Sequence, residues 1–314
     1  MLKTKLILYG IVSLFCTNLS AQRGFITYTF ESPVYKFRNG LATERQNAVL
    51  HFNQHESLFI YDKIGMDSIQ QGPSIRFTQK GENAGAHISA SHIDKEGFQV
   101  YRNFKTKSIS FRITKVKPFE PYIVEDEWLE IDWEIQDEYK IISGLKCQKA
   151  KGKFRGRTYF VWFSKEIPLP YGPWKLFGLP GLIIEAQTKN GKFKAIFKNL
   201  CFPCLASQYE IKKPQEKKQK TLKEHVYFVD HIFKNVLKEM RAHIPKGSGI
   251  KINLNNPRNK KDIIKFRETN RLEKQYEWED YPGDTPNPFA EEEKETSKSL
   301  ETAPQTIPIE SERN

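Results

Sequence analysis

Residues 129–136 read LEIDWEIQ, in which Leu129, Ile131, Trp133 and Ile135 alternate with Glu130, Asp132, Glu134 and Gln136. A period of two is that of a β-strand, whose successive side chains point to opposite faces. Four polar groups on one face require water there. That excludes a parallel sheet covered by helices on both sides and leaves an antiparallel sheet with one solvated face. Segments of related character recur at 24–30, 47–52, 57–61, 74–78, 98–104, 108–114, 140–142, 145–149, 157–163, 182–187 and 192–198. They are rich in β-branched and aromatic residues and are separated by turn signals. Residues 53–56 read as one hairpin turn and Asn190-Gly191 as another. With no helical spacers between these strands, the expected fold is mainly β, paired as an antiparallel meander.

One segment breaks the pattern. Leu222, Val226, Val229, Phe233, Val236, Leu237, Met240 and Ile244 fall in steps of three and four apart from the adjacent Val236 and Leu237, predicting a single C-terminal amphipathic helix over 222–245. Thr221 and Glu224 have the spacing of a capping box, and Pro245 supplies the stop. The lysine-rich run EIKKPQEKKQK before it reads as a basic linker over 211–221. An irregular polar segment follows over 246–276, then an acidic tail over 277–314 with the composition of disorder.

The first residues carry Lys3 and Lys5, an apolar run from Leu6 to Phe15, and a short polar stretch ending in Ser20 and Ala21. This is the build of a secretory signal peptide over 1–21, too short to span a bilayer. Phe15 before Cys16 disfavours a lipoprotein. The expected location is therefore exported: in the periplasm, at the outer membrane as a peripheral protein, or secreted. Three cysteines remain after cleavage, Cys147, Cys201 and Cys204, an odd number that fits one disulfide and one free thiol. The Cys201-Phe-Pro-Cys204 pair favours a structural bridge over redox or metal chemistry, because no second pair completes four zinc ligands.

The net charge of +12 hides an asymmetry. Residues 277–314 hold 11 acidic and 3 basic side chains, so the body without tail and leader stands at +18. A body that basic is drawn to anions. In an exported protein the expected partners are an anionic lipid or glycan, or an outer-membrane protein, and not nucleic acid. Lys153, Arg155 and Arg157 are the candidate anion contacts.

Pro168, Pro170, Pro173 and Pro180 fall within thirteen residues of WFSKEIPLPYGPWKLFGLPGLIIEA. Prolines this dense forbid regular structure and stiffen the loop that carries them. Pro180-Gly181 suits the centre of a type II turn, with glycine supplying a positive φ. Tyr171, Trp174, Phe177, Gly178, Leu179, Pro180 and Gly181 are the candidate loop-shaping or ligand-binding residues. The loop has two physical uses: to plug the open end of a curved sheet, or to present its rings to a ligand.

The run Gly178-Leu179-Pro180-Gly181-Leu182-Ile183 is GLPGLI, and with the opening GFITYTFES and the segment KCQKAKGKFRGRTYFVWFSKEIPLPYGPW it resembles the GLPGLI family of exported bacterial proteins over 24–199. The chain is similar, more remotely, to the bowl-shaped β domain that precedes the catalytic part of some bacterial peptide-N-glycosidases. These resemblances imply a curved antiparallel sheet, a bowl or half-barrel over 22–210, whose concavity the proline-rich loop closes or gates. They bring no catalytic residue with them.

Other candidates are weaker. His51 with His55, and His87 with His92, lie in strand, turn and Gly/Ser-rich text that spreads imidazoles apart, so no metal site is expected. Glu125-Asp126-Glu127 and the face of Glu130, Asp132 and Glu134 have a carboxylate spacing that any strand face would give, and read as solvated. No nucleophile elbow, phosphate loop or HExxH signature occurs, so the catalytic residue is unknown and no cofactor is expected. The expected function is a binding or accessory module using the concave face. A hydrolase of envelope glycans or peptides is the alternative, and a structural assembly subunit the second.

Overall fold

A computed structural model describes residues 23–36, 40–61, 63, 75–78, 85–88, 94–114, 119–204, 209–232, 235, 261, 263, 264, 267, 272–279 and 288. The expected signal peptide and most of the acidic tail lie outside them, as does the helix expected beyond 235.

The main sheet holds twelve strands. In chain order these and two others are β1 (Gly24–Lys36), β2 (Gly40–Phe52), β3 (Glu56–Tyr61), β4 (Ile75–Thr78), β5 (Gly85–Ile88), β6 (Phe98–Asn103), β7 (Ser108–Ile113), β8 (Tyr122–Asp126), β9 (Trp133–Ile142), β10 (Leu145–Phe154), β11 (Arg157–Ser164), β12 (Leu182–Thr188), β13 (Lys194–Cys201) and β14 (Gln219–Thr221). Strands β4 and β5 pair apart from the rest. The order across the main sheet is β14-β8-β7-β6-β3-β2-β1-β13-β12-β11-β10-β9. It is mainly β and antiparallel, as expected, and the sheet is open rather than closed into a barrel.

The pairing is not a simple meander. Strand β1 pairs with β2 on one side and β13 on the other, so the first strand is the centre that joins two meanders. Part of the basic linker is also a strand: β14 runs parallel to β8 at the far edge.

The sheet is strongly curved, and chain length shows why. Strands β8 and β9 stand ten steps apart in the order, roughly 48 Å if laid flat. Only residues 127–132 connect them, and Asp126 to Trp133 can span at most roughly 25 Å. The two halves must therefore bend toward each other. Residues 127–132, where the alternating pattern predicted the start of a strand, form this bridge, and β9 begins only at Trp133. Of the four expected inward residues, Ile131 is buried at 8% exposure, whereas Ile135 on the edge strand is 45% exposed.

The hollow is filled from within. Residues 165–181, between β11 and β12, fold into the concavity, where Tyr171, Trp174, Leu176, Phe177 and Leu179 join the main core. Tyr171 meets Phe52 and Phe104 from one half of the sheet, and Trp174 meets Phe154 and Tyr159 from the other. The Tyr28 hydroxyl from central β1 donates to the Ile183 carbonyl at 2.8 Å.

The glycines of the hexapeptide divide the work differently from the expected type II turn. Positive φ belongs to Gly178, at +97°, and not to Gly181. A Cβ at Gly181 would lie 2.1 Å from the Ser164 carbonyl oxygen, so that position is glycine for close approach.

Helix α1 (Leu222–Asp230) starts as read: the Glu224 amide donates to Thr221 Oγ1 at 3.2 Å, and the Thr221 amide to the Glu224 carboxylate at 2.6 Å. Its buried residues are Leu222, His225, Val226 and Asp230. Cys201 and Cys204 form the disulfide, and Cys147 is the buried free thiol.

Replacing Gly181 by alanine is expected to lower stability by about 3 kcal/mol or more, since the backbone of Ser164 must move. Gly191→Ala, whose Cβ would meet only the Lys194 Cε at 3.4 Å, should cost about 1 kcal/mol through its positive φ alone. Urea unfolding of both variants checks the order.

Candidate functional site

Where β8 and the β10–β11 turn approach, the gap between the two halves is closed by charge. Arg155 and Gly156 form that two-residue turn with φ of +42° and +77°, the type I′ pattern that matches strand twist. Arg155 donates to Asp126 at the end of β8 at 2.7 and 3.0 Å, to Glu273 at 2.6 Å and to Glu277 at 3.0 Å. Lys175, from the loop in the concavity, meets the same Asp126 and Glu273 at 2.6 and 2.9 Å. Asp126, Arg155 and Lys175 side chains are each 3% exposed or less.

The segment carrying Glu273 is tied down along its length. The Lys274 amide donates to the Arg155 carbonyl, Arg157 Nε and the Tyr159 hydroxyl donate to the Leu272 carbonyl, and Arg267 ion-pairs with Asp230 of α1 and with Glu279. Of the three expected anion contacts, Arg155 and Arg157 are thus buried and spent on this chain's own carboxylates and carbonyls. Only Lys153 is exposed. Asp126, read as one of a solvated trio, is the buried member of it.

Glu273 shows the electrostatic balance. Burial would raise its carboxyl, but Lys175 and Arg155 outweigh burial and hold it well below the ordinary carboxylate range.

The expected ring residues are also accounted for. Tyr171, Trp174, Phe177 and Leu179 are 3% exposed or less, leaving Gly178 and Pro180 as the exposed points of the hexapeptide. Trp174 takes φ of +54°, and its carbonyl accepts from Arg102 of β6. Their rings pack the core, and the concave face they were expected to close or gate is occupied by them.

Among the described residues, an open groove lies on the outer face of β9 and β11 to β13. In β11, Tyr159, Val161 and Phe163 point into the core while Phe160 and Trp162 point out and stay half-buried. A groove of about 300 Å³ runs over them, bounded by Lys140, Glu185, Gln187 and Lys194. The Lys140 ammonium sits 4.6 Å from the Trp162 ring centroid and pairs with Glu185. Lys149 pairs with Glu138, Lys151 with Glu134, and Lys194 with Glu31. The rim is polar around an aromatic floor, with Glu31 shared between Lys194 and Arg45.

The chain is similar to PNGF-II. The likeness to PNGF-II (peptide-N-glycosidase F), in space groups P21 and C2, has a TM-score of 0.42 and 16% identity in each case. It covers 68% of this chain and 34% and 33% of those chains, so the match spans about a third of their length. No protein-family model matches the chain, and no curated protein does.

Other expected sites are dispersed. His51 stacks on Tyr209 at 3.7 Å, and burial, with Lys63 adding to it, pulls its imidazole down to about 4. His92 lies outside the described residues. Among those described, no three His, Cys, Asp or Glu side chains gather as metal ligands. The groove was missed by sequence reading, yet RTYFVWFS carries its signal: Phe160 and Trp162 make the second face of β11 aromatic as well.

Since the folded carboxyl of Glu273 titrates below the unfolded value of about 4.3, its contribution is full above that pH and is lost as pH falls toward the folded value. Glu273→Gln is expected to cost about 3 kcal/mol at pH 7 by leaving two buried cations with one fewer carboxylate. The gap to the parent protein should narrow on acidification below about pH 4. Urea melts at pH 7 and pH 3.5 measure both; a gap constant with pH would contradict the assignment.

Proposed function

We propose that the chain is an exported envelope protein of the GLPGLI type, a binding or accessory module of the periplasm or outer-membrane surface, and that it holds a glycan in the groove over Phe160 and Trp162. One observation carries this reading: two large rings half-exposed on the face away from the core, within a polar rim. Sugar rings present an apolar CH face and a girdle of hydroxyls. An aromatic floor meets the first, and Glu185, Gln187 and Lys140 meet the second.

Of the anionic lipid and the glycan expected from net charge, the aromatic floor favours the glycan. Lys140 is paired with Glu185, whereas Lys194 shares Glu31 with Arg45; the floor of two rings meets the apolar face of a sugar and offers nothing to a headgroup phosphate. The contact face also moves from the concave side of the sheet to the outer one.

Tryptophan fluorescence titrated with neutral hexose oligosaccharides and peptidoglycan fragments tests the reading. A saturable change is expected, weakened about tenfold or more in Trp162→Ala, with binding compared well below the thermal midpoint of each variant because the half-buried ring also packs against the core. No response to any sugar, or unchanged binding by Trp162→Ala, would overturn it. Shortening of the sugar during the titration would favour the hydrolase alternative.

A further inference from the structure

Arg102 differs from most of the other buried cations. It is 0% exposed, in the middle of β6 and facing the filled concavity. Arg112, Arg155, Lys175 and Arg267 each pair with a carboxylate; Arg102 pairs with none among the described residues. Its Nη2 donates to the Trp174 carbonyl, its Nη1 to Ser57 Oγ at 3.3 Å, and its Nε has no hydrogen-bond partner. The Phe177 ring lies 5.3 Å from its carbon centre.

The groups around it are rich in protons without acceptors. Ser57 Oγ accepts from Arg102, which leaves its own hydrogen to donate. The Tyr171 hydroxyl makes no hydrogen bond among the described residues and lies within electrostatic reach of the guanidinium. Burial raises the Tyr171 hydroxyl above the ordinary tyrosine range, so it stays a donor and does not supply the missing negative charge. Burial likewise pulls Arg102 down to about 9, with Tyr171 and Tyr28 only partly opposing it. A guanidinium in the interior with no counter-charge is costly, and buried charges are as a rule paired.

We propose that Arg102, with the hydroxyls of Ser57 and Tyr171, forms a buried receptor for one small monovalent anion of the halide class. The guanidinium keeps one unused donor, Nε–H, with the Ser57 hydroxyl hydrogen-bonded to it and the Tyr171 hydroxyl within electrostatic reach, and the chemistry that would satisfy these donors is an acceptor with one negative charge. The anion would neutralise the side chain that grips the left-handed Trp174 carbonyl, and so fix the loop inside the sheet. This site is independent of the outer groove.

The full mature chain is melted in sodium bromide and in sodium methanesulfonate at equal sodium concentration. The midpoint in bromide is expected to be higher by about 3 °C, as for a ligand bound only by the folded state. Tyr171→Phe, which keeps the packing ring, should reduce that difference, and Arg102→Gln should abolish it. Crystals grown in bromide decide the case from the parent protein alone, so it holds even where Arg102→Gln does not fold. An anomalous bromide peak within hydrogen-bonding reach of Arg102 Nε is the expected result. No peak there, or a bromide effect undiminished in Tyr171→Phe, overturns the proposal.

Discussion

Arg155 and its carboxylates hold together a sheet that hydrogen bonds leave open. Twelve strands pair edge to edge, yet β9 and the β8 side never join by a ladder. What fixes their separation is Asp126 on one side, Arg155 on the other, and Lys175 and Glu273 between them. Buried ion pairs seldom add much net stability over apolar groups of the same size, because desolvation offsets the attraction. Their geometric demands are strict, however, and an open, bending sheet needs a defined curvature more than it needs additional energy. The left-handed backbone of Arg155, at φ +42°, is held in place by the same contacts.

Curvature in turn dictates what the loop does. A bent sheet without filling would expose its concave face, and residues 165–181 supply rings that reach both halves at once. Prolines limit the conformations this loop can lose on folding, while Gly181 lets it pass close to the Ser164 backbone. The concave face is then filled by the loop, and the groove over Phe160 and Trp162 lies on the outer face of the sheet.

Much of this order could be read from residue patterns. Short-range signals carried well: the alternation in 108–114, the hairpin at 53–56 and the Thr221–Glu224 cap depend on neighbours a few positions apart. Long-range ones did not. Arg155 meets Asp126 and Glu273 at separations of 29 and 118 residues, and nothing local distinguishes those acids from solvated ones. The same holds for β1, whose central place depends on β13 returning to it. At 129–132 the alternating pattern described a chain segment correctly as two-faced but could not say that the segment was needed as a bridge. Loop 165–181 was legible as stiff and aromatic; its place inside the fold required the curvature to be known.

The position of Glu273 late in the sequence has a consequence for how the molecule is made. A chain delivered from its N-terminus presents all its main-sheet strands, and both Arg155 and Lys175, well before Glu273 emerges. Until then two cations face Asp126 across the seam with one anion too few. The seam has its full set of carboxylates only when nearly nine-tenths of the chain is available.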